Sequence, residues 1–484
     1  MIRTLAELGL TGPSDLRVSG LAVDNRRVRP GDLFAALPGE KTHGARFAAD
    51  AVARGAVAIL TDPAGAAVAG DVAPVIVVED PRAALAFAAA LIAGRQPETV
   101  VAVTGTNGKT SVASFTRQIW DALGIQAVNI GTTGVEGAFH APATHTTPEP
   151  ITLHRLLAEM AEFGVTHAAM EASSHGLDQR RLEAVRLAAA GFTNLTQDHL
   201  DYHGTMEAYF DAKAGLFDRI LPGDGVAVID LDDPHGPDLA AACTARGQEV
   251  IGVGRHDDAR IRLTGQRFDA TGQDVLFQWQ GHAHTARLDL IGGFQAANAL
   301  LAAGLAIGAG EEAEAVFRAL AKLEGVRGRM ELAATRDNGA AVFVDYAHTP
   351  DAIATALQAL RPHVMGRIVA IIGAGGDRDT GKRSLMGEAA MSHADAVIVT
   401  DDNPRSEDPA AIRAAVMQGA PGATEIGDRA EAILRGAGEL EPGDALLVMG
   451  KGHETGQTVG DMVLPFDDVE QASISVAALE GREA

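Results

Sequence analysis

The segment Thr104-Gly105-Thr106-Asn107-Gly108-Lys109-Thr110 holds the residue types that can bind phosphate. It follows the apolar run Thr99 to Val103 and precedes a helical stretch. In a strand–turn–helix of this kind, backbone N–H groups and the helix N-terminus can surround phosphate oxygens. Lys109 would neutralise phosphate charge and the Thr110 hydroxyl would bind Mg²⁺. The segment therefore predicts a nucleotide site, although the general motif has glycine where this chain has Val103.

Two other interpretations of this segment stay open on the residues alone. One is an ordinary glycine-rich turn between a strand and a helix. The other is a regulatory or motor NTPase, which would need an acidic group at a second strand end to hold the metal. Met170-Glu171 ends an apolar run and could supply that group, so this feature does not separate a switch from a synthetic enzyme.

Three more polar segments follow predicted strands or lie in a predicted helix: Glu171 to Leu177, Asn194 to Gly204, and Tyr209 to Lys213. Ligands of open α/β sheets bind at the carboxyl ends of the strands, so a carboxylate and an imidazole there could hold a second Mg²⁺. Oxygen ligands are the norm for Mg²⁺, and His199 could equally be a helix cap or a packed side chain. Lys213 could be a solvated helix lysine.

The elements that must position these residues form two alternating series. Apolar runs predict strands at 99–103, 166–170, 187–192, 225–229 and 249–253, and then at 341–344, 367–372, 396–400 and 445–449, with a helix at 349–360. The alternation with helices favours mainly parallel sheets. The sequence therefore predicts an α/β protein of three domains: a small mixed α/β domain (1–97), a central P-loop ATPase-like domain (98–326) and a C-terminal Rossmann-like domain (327–484). We expect the hinge between the last two near Gly325 to Gly328.

The composition narrows the classes of function. The chain has 484 residues and a formal net charge of −24, so it is a poor general binder of nucleic acid. Its single cysteine, Cys243, excludes an internal disulfide. The first residues lack the apolar core of a signal peptide, and the most apolar stretch is shorter than the ~20 residues of a spanning helix. We expect a cytoplasmic monomer without nucleic-acid or membrane partners.

The motifs together resemble the ATP-dependent Mur ligase family. The resemblance is carried by Thr104 to Thr110, Glu171 to Gly176, Asp198-His199, Lys213, Asp345 to Pro350 and Gly450-Lys451-Gly452-His453-Glu454, in the family's order and approximate spacing. It implies ATP and Mg²⁺ as cofactors and a carbamate formed from CO₂ on Lys213. It implies catalytic roles for Lys109, Lys213, Glu171 and His199, and metal ligation by Thr110, Glu171 and His199. The implied ATP contacts are Gly105, Thr106, Asn107, Gly108, Lys109, Thr110, Ser111, Asn298, Arg329, Asp345 and His348. Gln295 stands where many members have Asn, and we assign it no role.

The resemblance also implies two further substrates, a UDP-muramoyl-L-Ala-D-Glu acceptor and meso-diaminopimelate. The implied acceptor contacts are Asn25, Thr146, Thr147, Ser173, Gln179, Arg181 and Lys213. The segment Asp402-Asn403-Pro404-Arg405 resembles the signature of the diaminopimelate-adding members, with Arg378, Gly450 and Glu454 completing the set. Arg405 can meet the distal carboxylate of the amino acid with a paired hydrogen bond, and Glu454 can accept from its distal ammonium. Without the resemblance, Asp402 to Arg405 could be a turn that begins a helix.

Several alternatives compete with this prediction. A lysine-adding member of the family would have no distal carboxylate for Arg405 to bind. A folate-extending relative would not need Thr146-Thr147-Pro148 or the Asp402 to Arg405 signature. A non-catalytic relative would be expected to lack Lys109, Glu171, His199 or Lys213, and all four are present. A generic NTPase would hydrolyse ATP without any amino acid.

Overall fold

The computed structural model describes residues 2–39, 42–142 and 145–482. The leading part contains strands β1 (Arg3–Thr4), β2 (Arg17–Val18), β3 (Gly20–Ala22), β4 (Asp32–Ala35), β5 (Ala58–Thr61) and β6 (Val75–Val77) and helices α1 (Ala48–Ala53), α2 (Pro63–Ala69) and α3 (Pro81–Ala93), with 3₁₀ turns at Ala6–Leu8, Asn25–Arg27 and Gly44–Phe47. Strands β3 to β6 form a parallel sheet in chain order. Helix α3 begins where the Asp80 side chain caps the amide of Ala83 and ends at Gly94 in the left-handed conformation.

The central part is built on a ten-stranded sheet. Its strands are β7 (Thr99–Thr104), β8 (Ala127–Gly131), β9 (Gly134–Gly137), β10 (His167–Glu171), β11 (Ala189–Phe192), β12 (Val226–Asp230), β13 (Glu249–Gly254), β14 (Ile261–Asp269), β15 (Gly272–Trp279) and β16 (His282–Leu288). The spatial order is β16-β15-β14-β13-β12-β11-β7-β10-β8-β9, and the six pairings from β14 to β8 are parallel. The prediction of a mainly parallel sheet is confirmed.

Helices cover both faces of this sheet: α4 (Lys109–Ala122), α5 (Pro150–Phe163), α6 (Ser174–Asp178), α7 (Leu200–His203), α8 (Met206–Gly215), α9 (Gly236–Ala245), α10 (Phe294–Gly308) and α11 (Ala313–Ala319), with a π turn at Leu216–Ile220 and a 3₁₀ turn at Leu320–Lys322. Alternate side chains of β7 supply the two cores, because successive strand residues face opposite ways. Val101 and Val103 pack in the core that contains α4 and α10, and Val100 and Ala102 pack in the core that contains α5.

The C-terminal part contains strands β17 (Glu331–Thr335), β18 (Ala341–Asp345), β19 (Ile368–Ile372), β20 (Ala396–Val399), β21 (Thr424–Glu425), β22 (Ala445–Met449), β23 (Gly456–Val459) and β24 (Met462–Pro465) and helices α12 (Pro350–Leu360), α13 (Lys382–His393), α14 (Pro409–Met417), α15 (Arg429–Gly438) and α16 (Asp468–Leu479), with a 3₁₀ turn at Arg361–His363. The six-stranded sheet has the order β17-β18-β22-β19-β20-β21, parallel except at β17. Strands β23 and β24 form a separate hairpin.

This topology brings the candidate residues to two sheet edges. In the central sheet, β11, β7 and β10 are neighbours, so the segments after their carboxyl ends meet. In the C-terminal sheet, β18, β22, β19 and β20 are neighbours, and the segments after them carry the residues predicted to bind the amino acid.

The structure adds elements that the sequence analysis did not anticipate. The meander of β14, β15 and β16 extends the central sheet with antiparallel pairings. In β14 only Ile261 and Leu263 are buried, and the later positions are partly or fully exposed, so the strand lacks the continuous apolar run of the parallel strands.

No helix in the described ranges is both long and apolar enough to cross a membrane.

Candidate active site

The phosphate loop lies between β7 and α4, as the sequence predicts. Gly105 and Gly108 have φ angles of 144° and 86°, which favour glycine. A Cβ atom on Gly105 would overlap the Thr193 hydroxyl, and one on Gly108 would stand 2.6 Å from Asn298 Oδ1. Both glycines are therefore required by backbone conformation and by space.

Part of the loop is bound to the segment that follows β11. The amide of Thr106 donates to Asn194 O and that of Asn107 to Asn194 Oδ1, each at 2.9 Å. These two amides are engaged within the protein. If the loop binds phosphate, the first amides of α4, which have no partner within a helix, are the ones left to donate to it. Gly108, Lys109, Thr110 and Ser111 all line the adjoining cavity.

Two lysines converge on one carbonyl oxygen of this loop. Lys109 Nζ donates to Gly105 O (2.9 Å) and Thr106 O (2.7 Å), and Lys213 Nζ donates to Gly105 O (2.7 Å). Lys213 is buried in α8, with its ammonium 4.3 Å from the centre of the Tyr209 ring. Burial, and then the nearby charge of Lys109, hold the pKa of Lys213 well below its usual value. Lys213 is therefore not a solvated helix lysine.

The carboxylate of Glu171 lies at the end of β10 beside the start of α4. Thr110 Oγ1 donates to Glu171 Oε2 (3.1 Å), and the amide of Thr132 donates to Oε1 (2.8 Å). Arg329 Nη2 donates to Thr110 Oγ1 (3.2 Å) from the other side. A hydroxyl and a carboxylate are oxygen donors of the kind Mg²⁺ accepts, with phosphate oxygens and waters as its remaining ligands. The Thr110–Glu171 pair thus fits the predicted metal.

His199 lies across the same cavity, directly before α7. Its φ angle is 53°, and its side chain makes no capping hydrogen bond to α7. Burial lowers the pKa of the imidazole to about 4, against the opposing charge of Asp198. Only a neutral imidazole has a free nitrogen lone pair for a metal ion, so the lowered pKa is compatible with the predicted role of His199 as a ligand of a second ion. Among the described residues, no three His, Cys, Asp or Glu side chains form a preformed metal cluster, so His199 as a ligand stays a prediction.

The C-terminal part supplies the opposite wall of a cavity of about 470 Å³. Arg329 lies over the Tyr346 ring, with Cζ 4.6 Å from its centre. Asp345 accepts from the amides of Met330 (2.7 Å) and Ala347 (2.8 Å). Burial raises the pKa of Asp345, and burial lowers that of His348. The cavity brings together all predicted ATP contacts except Gly105, which is not among its lining residues: Thr106, Asn107, Gly108, Lys109, Thr110, Ser111, Asn298, Arg329, Asp345 and His348.

Gln295, to which the sequence analysis gave no role, contacts Asn298, which lines the cavity from α10 of the central part. It is buried, and its Oε1 accepts from Asn298 Nδ2 at 3.0 Å. This contact fixes the amide of Asn298 so that its oxygen lies toward Gly108. The spacing of three residues within α10 was the available signal, since side chains three apart share a helix face.

The predicted acceptor contacts divide into two groups. Thr146, Ser173 and Lys213 line the ATP cavity. Thr147 is buried and bonds the backbone of Glu171 (2.8 Å) and of Ser173 (3.0 Å). Arg181 donates to Thr147 O and Gln179 Oε1, both at 2.8 Å. Thr147 therefore orders this wall of the site, and the Gln179–Arg181 pair borders it.

Asn25 lies in the leading part, where its side-chain amide donates a hydrogen bond to Asp50 Oδ2 (2.5 Å). A second cavity, of about 1170 Å³, opens between the leading and central parts. Asp24 and Arg27 line it together with Ser19 to Ala22 and residues of α5, while Asn25 is not among its lining residues.

The residues predicted to bind the amino acid form a third site within the C-terminal part. Asn403 Nδ2 donates to Glu454 Oε2 at 2.8 Å. A Cβ atom on Gly375 would lie 2.8 Å from Arg405 Nη1 and 3.8 Å from Arg378 Cγ, so the two arginines flank the same point. Gly450 has a φ angle of 118° and leaves room for Asp402, whose Oδ2 a Cβ would approach to 2.5 Å. Pro404 O packs against Gly376. The site thus offers two arginine side chains and the carboxylates of Asp402 and Glu454.

Arg405 adopts the left-handed conformation, with φ at 51°. The hairpin of β23 and β24 holds it there, because the Arg405 amide donates to Thr458 O (3.0 Å) and its carbonyl accepts from the Gly460 amide (2.7 Å). Its side chain donates to Gly376 O (2.7 Å). The sequence analysis missed this hairpin and its part in placing Arg405, since an arginine in this conformation leaves no mark in the sequence.

Comparisons with known proteins agree with this geometry. Three family descriptions match the chain: "Mur ligase family, catalytic domain" (residues 17–92), "Mur ligase middle domain" (103–306) and "Mur ligase, glutamate ligase domain" (328–452). The UDP-N-acetylmuramoyl-L-alanyl-D-glutamate--2,6-diaminopimelate ligase of Bradyrhizobium diazoefficiens is 54% identical, over 96% of this chain and 96% of the relative. The enzyme of the same name from Caulobacter vibrioides is 50% identical, over 97% of both chains.

Solved structures also resemble this chain. A structure of a UDP-N-acetylmuramoyl-L-alanyl-D-glutamate--2,6-diaminopimelate ligase aligns with a TM-score of 0.73 and 34% identity, covering 99% of this chain and 100% of the other. The folylpolyglutamate synthase of Mycobacterium tuberculosis aligns with a TM-score of 0.63 at 20% identity, covering 83% and 95%, and shares the fold. The chain belongs to the Mur ligase family.

Proposed function

We propose that the chain is an ATP-dependent ligase that joins meso-diaminopimelate to UDP-N-acetylmuramoyl-L-alanyl-D-glutamate in the synthesis of peptidoglycan precursors. The observation that carries the proposal is the pairing of two sites. A phosphate loop with Lys109 and Glu171 faces the C-terminal part, and that part holds two arginines and a glutamate suited to a zwitterionic side chain. Relatives that are 54% and 50% identical over nearly their whole length bear the name of this activity.

ATP binds in the cavity between the central and C-terminal parts. Its phosphates lie at the start of α4, with Lys109 beside them, and Asn298, Arg329, Asp345 and His348 contact the rest of the nucleotide. Thr110 and Glu171 would hold Mg²⁺, and His199 would be the protein ligand of a second ion. Bound Mg²⁺ would offset the repulsion between the acceptor carboxylate and the γ-phosphate.

The reaction proceeds in two displacements. The free carboxylate of the D-glutamyl residue attacks the γ-phosphorus, giving an acyl phosphate and ADP. The amine at one end of diaminopimelate then attacks the acyl carbon, and inorganic phosphate leaves as the amide forms. Carboxylates are poor electrophiles, so the phosphoryl group supplies the leaving group that the amide bond requires. The positive charges of Lys109 and Arg329 stabilise the negative charge that develops at the phosphates. The C-terminal wall excludes water, which would otherwise hydrolyse the acyl phosphate.

Lys213 carries a carbamate in the active enzyme. A neutral amine adds to CO₂ and loses a proton, so a lysine whose pKa is depressed by burial is suited to this modification. The carbamate would place a negative group beside the bound cations, where an ammonium would be repelled. Lys213 also lies among the proposed acceptor contacts with Thr146 and Ser173.

The amino acid is selected by the third site. Arg405 and Arg378 bind the distal carboxylate of diaminopimelate, and Glu454 accepts from its distal ammonium. Asp402, Asn403, Pro404 and Gly450 shape the pocket. L-Lysine has no distal carboxylate, so it would offer neither guanidinium group an anionic partner.

The three parts of the chain have separate roles in this proposal. Residues 1–97 bind UDP through the cavity that they share with α5, residues 98–326 bind ATP, and residues 327–484 bind the amino acid. We also propose that the protein acts as a monomer in the cytoplasm.

The decisive experiment measures ADP release with UDP-muramoyl-L-Ala-D-Glu, ATP and Mg²⁺. Parallel reactions receive meso-diaminopimelate, L-lysine or no amino acid. Turnover that depends on diaminopimelate supports the proposal. Turnover with lysine instead would retain the ligase and overturn the specificity. Equal release in all three reactions would reduce the protein to an ATPase.

A further inference from the structure

Lys451 is a buried cation at the amino-acid site to which neither the motif assignment nor the proposed reaction gives a role. It follows β22 by two residues, and its side chain has no solvent exposure. A lysine ammonium has three N–H donors and no acceptor. Three acceptors surround it: Asn403 Oδ1 (3.2 Å), Glu454 Oε2 (3.1 Å) and the carbonyl of Gly456 (2.5 Å). All three donors are thus used inside the protein, and two of the acceptors belong to proposed diaminopimelate contacts.

The first consequence concerns the amide of Asn403. Its Oδ1 accepts from Lys451 Nζ and from the amide of Thr458 (2.8 Å). A rotated amide would place its NH₂ group against two donors, so only one orientation is satisfied. In that orientation Asn403 Nδ2 lies against Glu454 Oε2 (2.8 Å). Lys451 therefore fixes which face of Asn403 meets Glu454.

The second consequence concerns the carboxylate of Glu454. Within the described residues, its hydrogen bonds from Lys451 and Asn403 both fall on Oε2. The side chain is about one-third exposed, and Oε1 is the oxygen left to accept from a ligand. A carboxylate held at one oxygen by two donors has a fixed plane, so the direction in which Oε1 accepts is set before the amino acid binds.

We propose that Lys451 is a positioning residue for amino-acid selection: its buried ammonium fixes Asn403 and one oxygen of Glu454 so that the other oxygen accepts the distal ammonium of the incoming amino acid. The inference rests on the proposed function, since it assumes that Glu454 receives that ammonium. Lys451 acts through Glu454 and does not touch the substrate.

The test uses Lys451→Met, which removes the charge and keeps much of the side-chain length. Steady-state KM is measured for meso-diaminopimelate, ATP and the UDP-muramoyl dipeptide. We expect the KM for diaminopimelate to rise about tenfold or more, since hydrogen bonds to charged groups carry that much affinity, while kcat and the other two KM values change less than about threefold. Lys322→Met, at an exposed lysine, is the matched control and should change none of them.

A double-mutant cycle separates this role from a purely structural one. In a Glu454→Gln background, Lys451→Met should raise the KM for diaminopimelate by less than about threefold further, because the group it positions is already altered. The double variant carries neither the Lys451 ammonium nor the Glu454 carboxylate, so no buried charge is left unpaired. Its KM for diaminopimelate can therefore be measured even if Lys451→Met alone fails to fold. Independent, multiplying effects in the cycle would overturn the proposal, as would equal rises in all three KM values. An inactive wild-type enzyme would instead refute the proposed function, and an active one with unchanged KM in Lys451→Met would refute this inference alone.

Discussion

The phosphate loop and the amino-acid site both depend on left-handed backbone, but they use different residues to obtain it. In the phosphate loop, Gly105 and Gly108 have positive φ and no room for a side chain. In the amino-acid site, Asp377 and Arg405 have φ angles of 55° and 51° and keep their side chains. In the proposed function, backbone groups would bind phosphate, whereas side chains that the backbone must position would bind the amino acid. The first strategy is visible in a sequence as glycine, and the second is hidden.

The largest effect is expected from removing the positive charge of Lys109 in the phosphate loop. Lys109→Met should lower kcat by about a thousandfold, because one preorganised donor to a charged transition state contributes that much. ADP release with all substrates measures it. Lys322→Met provides the control, and a loss below about tenfold would contradict the role given to Lys109.

The second prediction tests the requirement for glycine. Gly105→Ala should reduce the free energy of unfolding by about 3 kcal/mol, since it adds overpacking against Thr193 to backbone strain. Gly164→Ala is matched to it, with a φ of 97° and nothing within 4 Å of the added Cβ, and should cost about 1 kcal/mol. Urea unfolding of both variants gives the difference. Equal costs would show that space is not limiting at Gly105.

The third prediction addresses the amino-acid side. Arg405→Ala should raise the KM for diaminopimelate about thirtyfold, because it removes a charge-assisted hydrogen bond to the distal carboxylate. Its KM for ATP should stay unchanged. Arg435→Ala, at an exposed arginine of the same part of the chain, is the control. A rise in the KM for ATP of the same size would mean that the two sites are not separate.

The smallest effect concerns two histidines: His453, whose ring lies 5.0 Å from that of Tyr346, and His199 of the nucleotide cavity. Burial lowers the pKa of His453 to about 4, and that of His199 to about 4. Below the ordinary value of about 6.5 the unfolded chain gains protons that the folded chain does not, so the free energy of unfolding falls as pH drops from 6.5 toward 4. His453→Gln should reduce the slope of the free energy of unfolding against pH, since it removes up to about one proton from the difference in protons bound by the unfolded and folded states.

His199→Gln should flatten it less, because 45% of the His199 side chain is exposed. Urea unfolding between pH 4 and 7 measures both slopes. The reverse order would show that the His199 imidazole is the more protected from water of the two.

The sequence predicted the elements with continuous apolar runs well. The strand expected at 445–449 is observed at Ala445–Met449, and the one expected at 99–103 is β7, Thr99–Thr104. The family, predicted from the motifs, is confirmed by the family descriptions that match the chain, and relatives 54% and 50% identical bear the name of the predicted activity. The site residues stay a prediction, although the structure gathers most of the ATP set in one cavity.

What the sequence could not provide are contacts between distant residues. Nothing in the order of residues shows that Lys213 and Lys109 bind the same carbonyl, or that Thr458 closes over Asn403. The hairpin of β23 and β24 is also hidden, because its Met462, Val463 and Leu464 are exposed and follow no core pattern. Such contacts depend on the packing of separate segments, which local periodicity does not encode.

The hydrogen bonds of the segment Asp402 to Arg405 have a consequence for how such enzymes diversify. Its partners Gly376, Glu454, Gln457 and Thr458 all lie in the C-terminal part, whereas the nucleotide cavity draws on two parts of the chain. The proposed amino-acid pocket is therefore built from the C-terminal part alone. Natural variation or a chimaera could exchange its specificity as a unit while the machinery that activates the acceptor is inherited unchanged.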